Sequence, residues 1–384
     1  MNKPVRNISK GRFRREIVNR VPPIISNIVN TGNNNNQNQN VKPVAPEKND
    51  EKISNMAFST ITRIYFQHLI DTNVKGYDDQ LPFFYNHPPI QGVFDLSTLA
   101  NGKNQEVLRA YDDLKVESIK HEYEIVTILP FRGRWLHLEK TLESLISAAS
   151  ETENKIGFVI IENSQKPIFD TGKFSKYTNV HYRWLNSKGK IFNKCLCHNI
   201  GAGATVSNFI HFHDCDLPVP YNFYKALISE LYKNPAVQAF SGRKVNYLKE
   251  IHTKEYFDGI SINNITKDKD SYKEGVFGAP GGSIALSREL FNKAGGFDPH
   301  FFWAYSIEDR FFWEKVEKYN QITTLENPKI DLYHLWHPPG WGKNPYERFE
   351  QRIYQLFAQD RFGWQNYINT SRNLYKELIE KFIF

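Results

Sequence analysis

Four short β-type runs, 124–129, 157–162, 180–184 and 209–213, are interrupted by helical stretches after the first and after the third. This alternation limits the fold more than any other feature of the chain. Leu138, Leu142, Leu145 and Ile146 recur at helical spacing over 136–149, and a second helix is expected over 193–205. Strands alternating with helices predict an α/β fold with a mostly parallel central sheet. Such sheets bind ligands beyond the carboxyl ends of their strands. Residues 130–134 and 214–216 both fall there.

The second of these segments lies in the run His211-Phe212-His213-Asp214-Cys215-Asp216-Leu217-Pro218. Residues 206–212 are apolar enough to form the strand, and Pro218 and Pro220 end it. Strand side chains alternate, so Asp214 and Asp216 are expected on one face. Paired carboxylates there can hold a hard divalent cation together with a diphosphate. Taken alone, an Asp-x-Asp fits a chance surface pair equally well.

Other residue groups carry chemistry of the same kind. In Pro130-Phe131-Arg132-Gly133-Arg134, two guanidiniums follow a strand and can grip a phosphate or a base edge. Phe192-Asn193-Lys194 opens a helix, where it can hold a nucleotide or, through Asn193, simply cap the helix. Glycines at 275, 278, 281 and 282 let backbone approach a ligand. Glu308 and Asp309 follow the aromatics Phe302, Trp303 and Tyr305, an arrangement that can hold a sugar against a base. The same acidic pair also suits a helix N-terminus. His334 and His337 stand three apart, and two such imidazoles can ligate one metal in a turn.

The formal charge of +7 is concentrated at one end: seven basic residues against Glu16 give residues 1–20 a balance of +6. A near-neutral remainder argues against a nucleic-acid partner, which needs clustered charge on the folded body. Residues 1–52, basic and then rich in Asn and Gln, are expected to be a disordered arm. An N-terminal helical appendage is expected over 53–122, with helices near 56–70 and 106–119. The main domain is expected over 123–343, with a further strand at 237–242 and an irregular loop at 246–273. A C-terminal helical segment follows over 344–384. Three cysteines, Cys195, Cys197 and Cys215, read as reduced thiols. No stretch is long and apolar enough to be a membrane span, and no apolar signal core is seen, so a cytoplasmic setting is expected.

In order, Pro130-Phe-Arg-x-Arg134, Phe192-Asn-Lys194 with Asn199-x-Gly201, Phe212-His-Asp-Cys-Asp-Leu217, Gly281-Gly-Ser-x-Ala-Leu-Ser287, Gly296-Phe297, Trp303 and Glu308-Asp309 resemble the β-1,4-galactosyltransferase family with its bacterial and viral relatives. The resemblance spans about residues 123–340 and implies a GT-A fold. It also implies a metal-dependent, inverting glycosyltransferase. Such an enzyme moves a hexose or N-acetylhexosamine from a UDP-sugar to a carbohydrate or glycoconjugate acceptor, with Mn²⁺ or Mg²⁺ as cofactor. By position, Pro130, Phe131, Arg132, Arg134, Phe192, Asn193, Lys194, Asp214, Asp216, Gly281, Gly282 and Trp303 would bind the donor. The metal ligands would be Asp216, His337 and His334. Asp309 would be the general base and Glu308 would bind sugar. Tyr305 and Ser306-Ile307 depart from the family's pattern, which leaves the acceptor open. The alternative is a catalytically inactive nucleotide-sugar or carbohydrate-binding protein on the same fold.

Overall fold

The computed structural model describes residues 114–187, 192–233, 244–275, 282–299, 308–320, 330–338 and 364–384. The arm, the appendage before residue 114, the strand expected at 237–242, Gly281 and Trp303 lie outside them.

The first half follows the expected alternation: β1 (Glu122–Phe131), α1 (Trp135–Ser150), β2 (Ile156–Ser164), a single turn α2 (Thr171–Phe174), β3 (Val180–Asn186), α3 (Lys194–Gly203), β4 (Val206–His213) and α4 (Phe223–Lys233). Then come β5 (Lys244–Leu248), α5 (Glu250–Phe257), α6 (Ile262–Ile265), β6 (Tyr272–Lys273), β7 (Ser283–Ser287), α7 (Arg288–Ala294), α8 (Glu308–Asn320), β8 (Asp331–His334) and α9 (Trp364–Phe382). The main sheet has the order β3-β2-β1-β4-β7. Its first four strands are parallel, and β7 runs antiparallel at the edge beside β4. The fold is therefore α/β with a mostly parallel central sheet.

The apolar runs are continuous because the sheet is covered on both faces. Val126 and Ile128 of β1 pack under α3 with Leu196 and Ile200, joined by Phe291 of α7 and Phe312 of α8. Ile125, Leu129 and Phe131 point to the opposite layer, against Leu138 and Leu142 of α1 and Leu227 of α4. Helix α3 lies close enough to β1 that a Cβ on Gly201 would come within 2.6 Å of Ile128. Cys195, Cys197 and Cys215 are free and buried.

Two expectations change. The described part of the helix expected over 106–119 is extended instead. Val116 donates to the Phe382 carbonyl at 2.8 Å and Ser118 to that of Phe384 at 3.0 Å, which draws this segment alongside the end of α9. The expected loop 246–273 is largely ordered into β5, α5, α6 and β6. Leu248, Ile265 and Leu335 give this region its own small core, and Ser261 caps α6 through its hydroxyl. Strands β6, β5 and β8 form a second sheet in that order, with β8 parallel to β5.

Helix α9 is fastened by buried polar contacts. Lys315 of α8 pairs with Asp298 at 2.8 Å, and Ser371 of α9 donates to the same carboxylate at 2.6 Å. Breaking one partner out of such a pair costs about 3–5 kcal/mol. Among the described residues no helix is long and apolar enough to cross a membrane.

A chain of polar side chains runs through the core beneath the end of β4. The Thr127 hydroxyl lies 3.0 Å from His211 Nδ1 and 2.6 Å from the Tyr224 hydroxyl. Ser283 Oγ lies between His211 Nε2 at 2.9 Å and His213 Nδ1 at 3.0 Å. Burial pushes His213 down to about 4 from 6.5 and drives His211 down as well. Both are neutral in the fold, whereas the unfolded chain protonates them near 6.5. Stability is therefore fully present above about pH 6.5 and declines toward pH 4. For His213 alone the loss approaches roughly 3 kcal/mol, at about 1.4 kcal/mol per unit. Urea midpoints measured between pH 7.5 and 4.5 should fall steadily; a flat profile would show that these histidines are not held neutral.

Candidate active site

Strand β4 stops at His213, and its continuation is pinned on two sides. The Asp214 N–H donates to the Gly282 carbonyl at 2.6 Å, and the Leu335 N–H donates to the Asp216 carbonyl at 2.9 Å. The start of β7 and the end of β8 are thereby brought to the same turn. His213 Nε2 lies 2.7 Å from the Leu217 carbonyl, closing the turn from below.

This turn corrects the strand-alternation argument. Residues 215–216 form a turn, so Asp214 and Asp216 engage different partners. Asp216 is 3% exposed. Its Oδ2 meets Arg134 Nη1 at 2.6 Å and His337 Nε2 at 3.4 Å, and its Oδ1 faces His334 Nε2 at 3.6 Å. Burial alone would raise the Asp216 carboxyl, but His334, His337 and Arg134 hold it well below the ordinary carboxylate range.

Asp214 belongs to a second cluster. Lys194, the first residue of α3, places Nζ 2.8 Å from Asp214 Oδ1, 2.8 Å from Asp309 Oδ2 and 3.8 Å from Glu308 Oε1. Burial opposes the Lys194 charge, yet the surrounding carboxylates hold its proton well above the usual range. Asp309 is pushed up by burial, against the pull of Lys194 and a hydrogen bond from the Gly282 backbone. Both acidic residues open α8, as the sequence suggested, but they face a lysine from another helix.

The other expected residues divide into those near the site and those beneath it. Arg132 donates to the Asn163 carbonyl and lies over the Phe192 ring, 5.7 Å from its centre. Pro130 is buried in β1, and Phe131 is wholly buried in the layer under α1. Asn193 caps α3 by accepting from the Leu196 N–H at 2.8 Å, and it donates to the Pro299 carbonyl at 3.3 Å. Gly282 has φ 91, and a Cβ there would strike Leu217 at 2.7 Å. Pro130, Phe131, Asn193 and Gly282 are thus accounted for by burial, helix capping and backbone packing.

Three residues that sequence reasoning did not single out support it. His137 Nε2 lies 3.0 Å from the Trp336 carbonyl, and its ring stands edge-on to His337 at 6.1 Å. Thr253 adds a second hold, accepting from the Trp336 N–H at 2.8 Å. Asn163, at the end of β2, accepts from the Asn193 N–H at 3.2 Å while its carbonyl receives Arg132. A polar residue ending a buried strand was the available signal for Asn163; His137 left none.

Asp216, His334 and His337 each offer a ligand atom, all within 4.8 Å of one another. Asp216 Oδ1 is buried and accepts no hydrogen bond among the described residues. One carboxylate oxygen and two imidazole nitrogens suit a borderline divalent cation, so these residues fit such an ion.

No protein-family model matches the chain, and no curated protein does. Solved structures do show likeness. The catalytic domain of Drosophila β1,4-galactosyltransferase 7 with xylobiose shares 15% identity over 59% of this chain and 78% of that one, with a TM-score of 0.36. A mutant of the same enzyme with manganese, UDP-Gal and xylobiose gives 15%, 59%, 79% and 0.37. GalNAc-T7 with UDP, GalNAc and Mn²⁺ shares 15% identity over 68% of this chain and 57% of that chain, at a TM-score of 0.45. With identity at this level, the chemistry has to be read from the chain's own residues.

Proposed function

We propose that this chain is a metal-dependent, inverting glycosyltransferase of the GT-A type. It would move a hexose or N-acetylhexosamine of galactose or glucose type from a UDP-sugar to an acceptor hydroxyl. The observation that carries the reading is the convergence of two clusters on one turn. Asp216 with His334 and His337 forms a donor set for a cation. Two residues away, Asp214 joins Lys194 to Asp309.

The residues divide the work. Asp216, His334 and His337 would hold Mn²⁺ in preference to Mg²⁺, because the set mixes oxygen and nitrogen. Bound there, the ion would supply positive charge against the departing diphosphate. Arg132 and Arg134 add guanidinium charge to the same side. Lys194 is already held by carboxylates, so it acts on the donor through Asp214 and on the base through Asp309. Asp309 takes the acceptor hydroxyl proton as the acceptor oxygen attacks the anomeric carbon and the bond to the diphosphate breaks, giving inversion in one displacement. Glu308, buried at the head of α8, orients sugar beside it.

The second reading is an inactive nucleotide-sugar binder, and one observation favours it: Asp309 is tied to Lys194 at 2.8 Å, which moderates its basicity. One experiment separates the two. Purified protein is incubated with a panel of UDP-sugars and Mn²⁺, and UDP release is followed with and without EDTA and simple sugar acceptors. An enzyme releases UDP from at least one donor and stops when EDTA is added. Tight UDP-sugar binding without release from any donor would support the binder instead.

A further inference from the structure

The two arginines of the turn after β1 stand in different situations. Arg132 is anchored, with its Nε on the Asn163 carbonyl and its guanidinium on Phe192. Arg134 instead reaches across to Asp216, where Nη1 lies 2.6 Å from Oδ2. His337 Nε2 approaches that same oxygen at 3.4 Å. A buried carboxylate requires a compensating charge, and here the guanidinium supplies it. We propose that Arg134 is an internal counter-cation of the Asp216 site, one that a divalent cation must displace from Oδ2 and that the donor's diphosphate then receives. This inference rests on the reading of Asp216, His334 and His337 as metal ligands.

Three features support the exchange. A divalent cation and a guanidinium on one carboxylate oxygen are like charges in contact, so the two states exclude each other. The Arg134 side chain is 27% exposed while that of Asp216 is 4% exposed, so the arginine can leave toward solvent and the carboxylate stays. Arg134 also follows exposed Gly133 at φ 71 and sits at the N-cap of α1 without a side-chain capping bond, so its departure leaves the helix start intact. The consequence is linkage. Mn²⁺ alone binds weakly because it has to evict Arg134, and UDP alone binds weakly because Arg134 is held away from it. Each relieves the other's penalty, and the coupling is reciprocal.

The test is Mn²⁺ binding to the full chain without nucleotide, read from the electron paramagnetic resonance signal of free Mn²⁺. Replacing Arg134 with methionine (R134M) removes the charge and keeps much of the length. R134M should bind Mn²⁺ between about 5- and 150-fold more tightly than the unmodified protein, the usual span of such couplings. Its UDP affinity should weaken in Mn²⁺, where the diphosphate no longer receives the arginine, and change little in EDTA, so the factor by which UDP strengthens Mn²⁺ binding should shrink. Arg134→Lys, which keeps the charge, should stay close to the unmodified protein. Equal or weaker Mn²⁺ binding by R134M, while Asp216→Asn still abolishes it, would overturn the counter-cation role and leave the metal site standing. Mn²⁺ binding that is insensitive to Asp216→Asn would overturn the metal reading, and this inference with it.

Discussion

Replacing Asp309 with asparagine should lower transfer by about 10²–10⁴-fold, the usual contribution of a general base, while UDP and Mn²⁺ bind as before. The variant should fold. Lys194 keeps Asp214 at 2.8 Å and Glu308 at 3.8 Å, so its buried ammonium is not left without anions. The amide is isosteric with the carboxylate and cannot take the acceptor proton. The pH dependence gives a second readout. Burial raises the Asp309 carboxyl above its ordinary 3.8. The working form is the anion, so activity should be full above that raised value and fall as pH drops through it. This acid limb should vanish from the residual activity of Asp309→Asn. Transfer at an unmodified rate, with an unmodified acid limb, would remove Asp309 from the role of base.

The central sheet was legible because both of its faces are buried, which makes β1, β2 and β4 read as unbroken apolar runs. The small sheet β6-β5-β8 was not. Its core gathers Leu248, Ile265 and Leu335 from short elements, none with a periodic pattern of its own. Site chemistry followed the same division. Residue types after a strand end and at helix starts pointed to Asp216, Lys194 and Asp309, but their pairing joins segments far apart in sequence. Lys194 and Asp309 are 115 residues apart, and His137 and Trp336 are 199 apart. No local pattern encodes such contacts. The alternation rule for Asp214 and Asp216 held only as far as the strand did, and the backbone turns at Cys215. Phe131 and Asn193 show the converse. Their motif positions suggested ligand contact, whereas burial under α1 and the capping of α3 account for them physically.

Replacing Asp216 with asparagine should remove the response to metal altogether. In the unmodified protein, UDP affinity measured by calorimetry should be much higher with Mn²⁺ than with EDTA; in Asp216→Asn the two should coincide. Loss of an outer-shell partner of a metal ligand already costs about 10–100-fold in metal affinity, so loss of the anionic ligand itself should exceed that. Stability should fall less than function. The carboxylate is held well below its ordinary range by His334, His337 and Arg134, so its charge contributes to the fold at neutral pH, and that contribution goes with the substitution. Arg134, at 27% exposure, can turn to water when its partner is neutralised. The Asp216 backbone carbonyl still receives Leu335, so the turn that carries the histidines keeps its anchor. The sign of the metal effect is the informative quantity. Asp216→Asn and R134M each break the same 2.6 Å contact, so a merely structural ion pair would make them fail alike. A metal site guarded by its own arginine makes them diverge, one losing Mn²⁺ and the other gaining it. If Asp216→Asn retains a Mn²⁺-stimulated affinity for UDP, the cation binds elsewhere and this carboxylate serves only to hold Arg134.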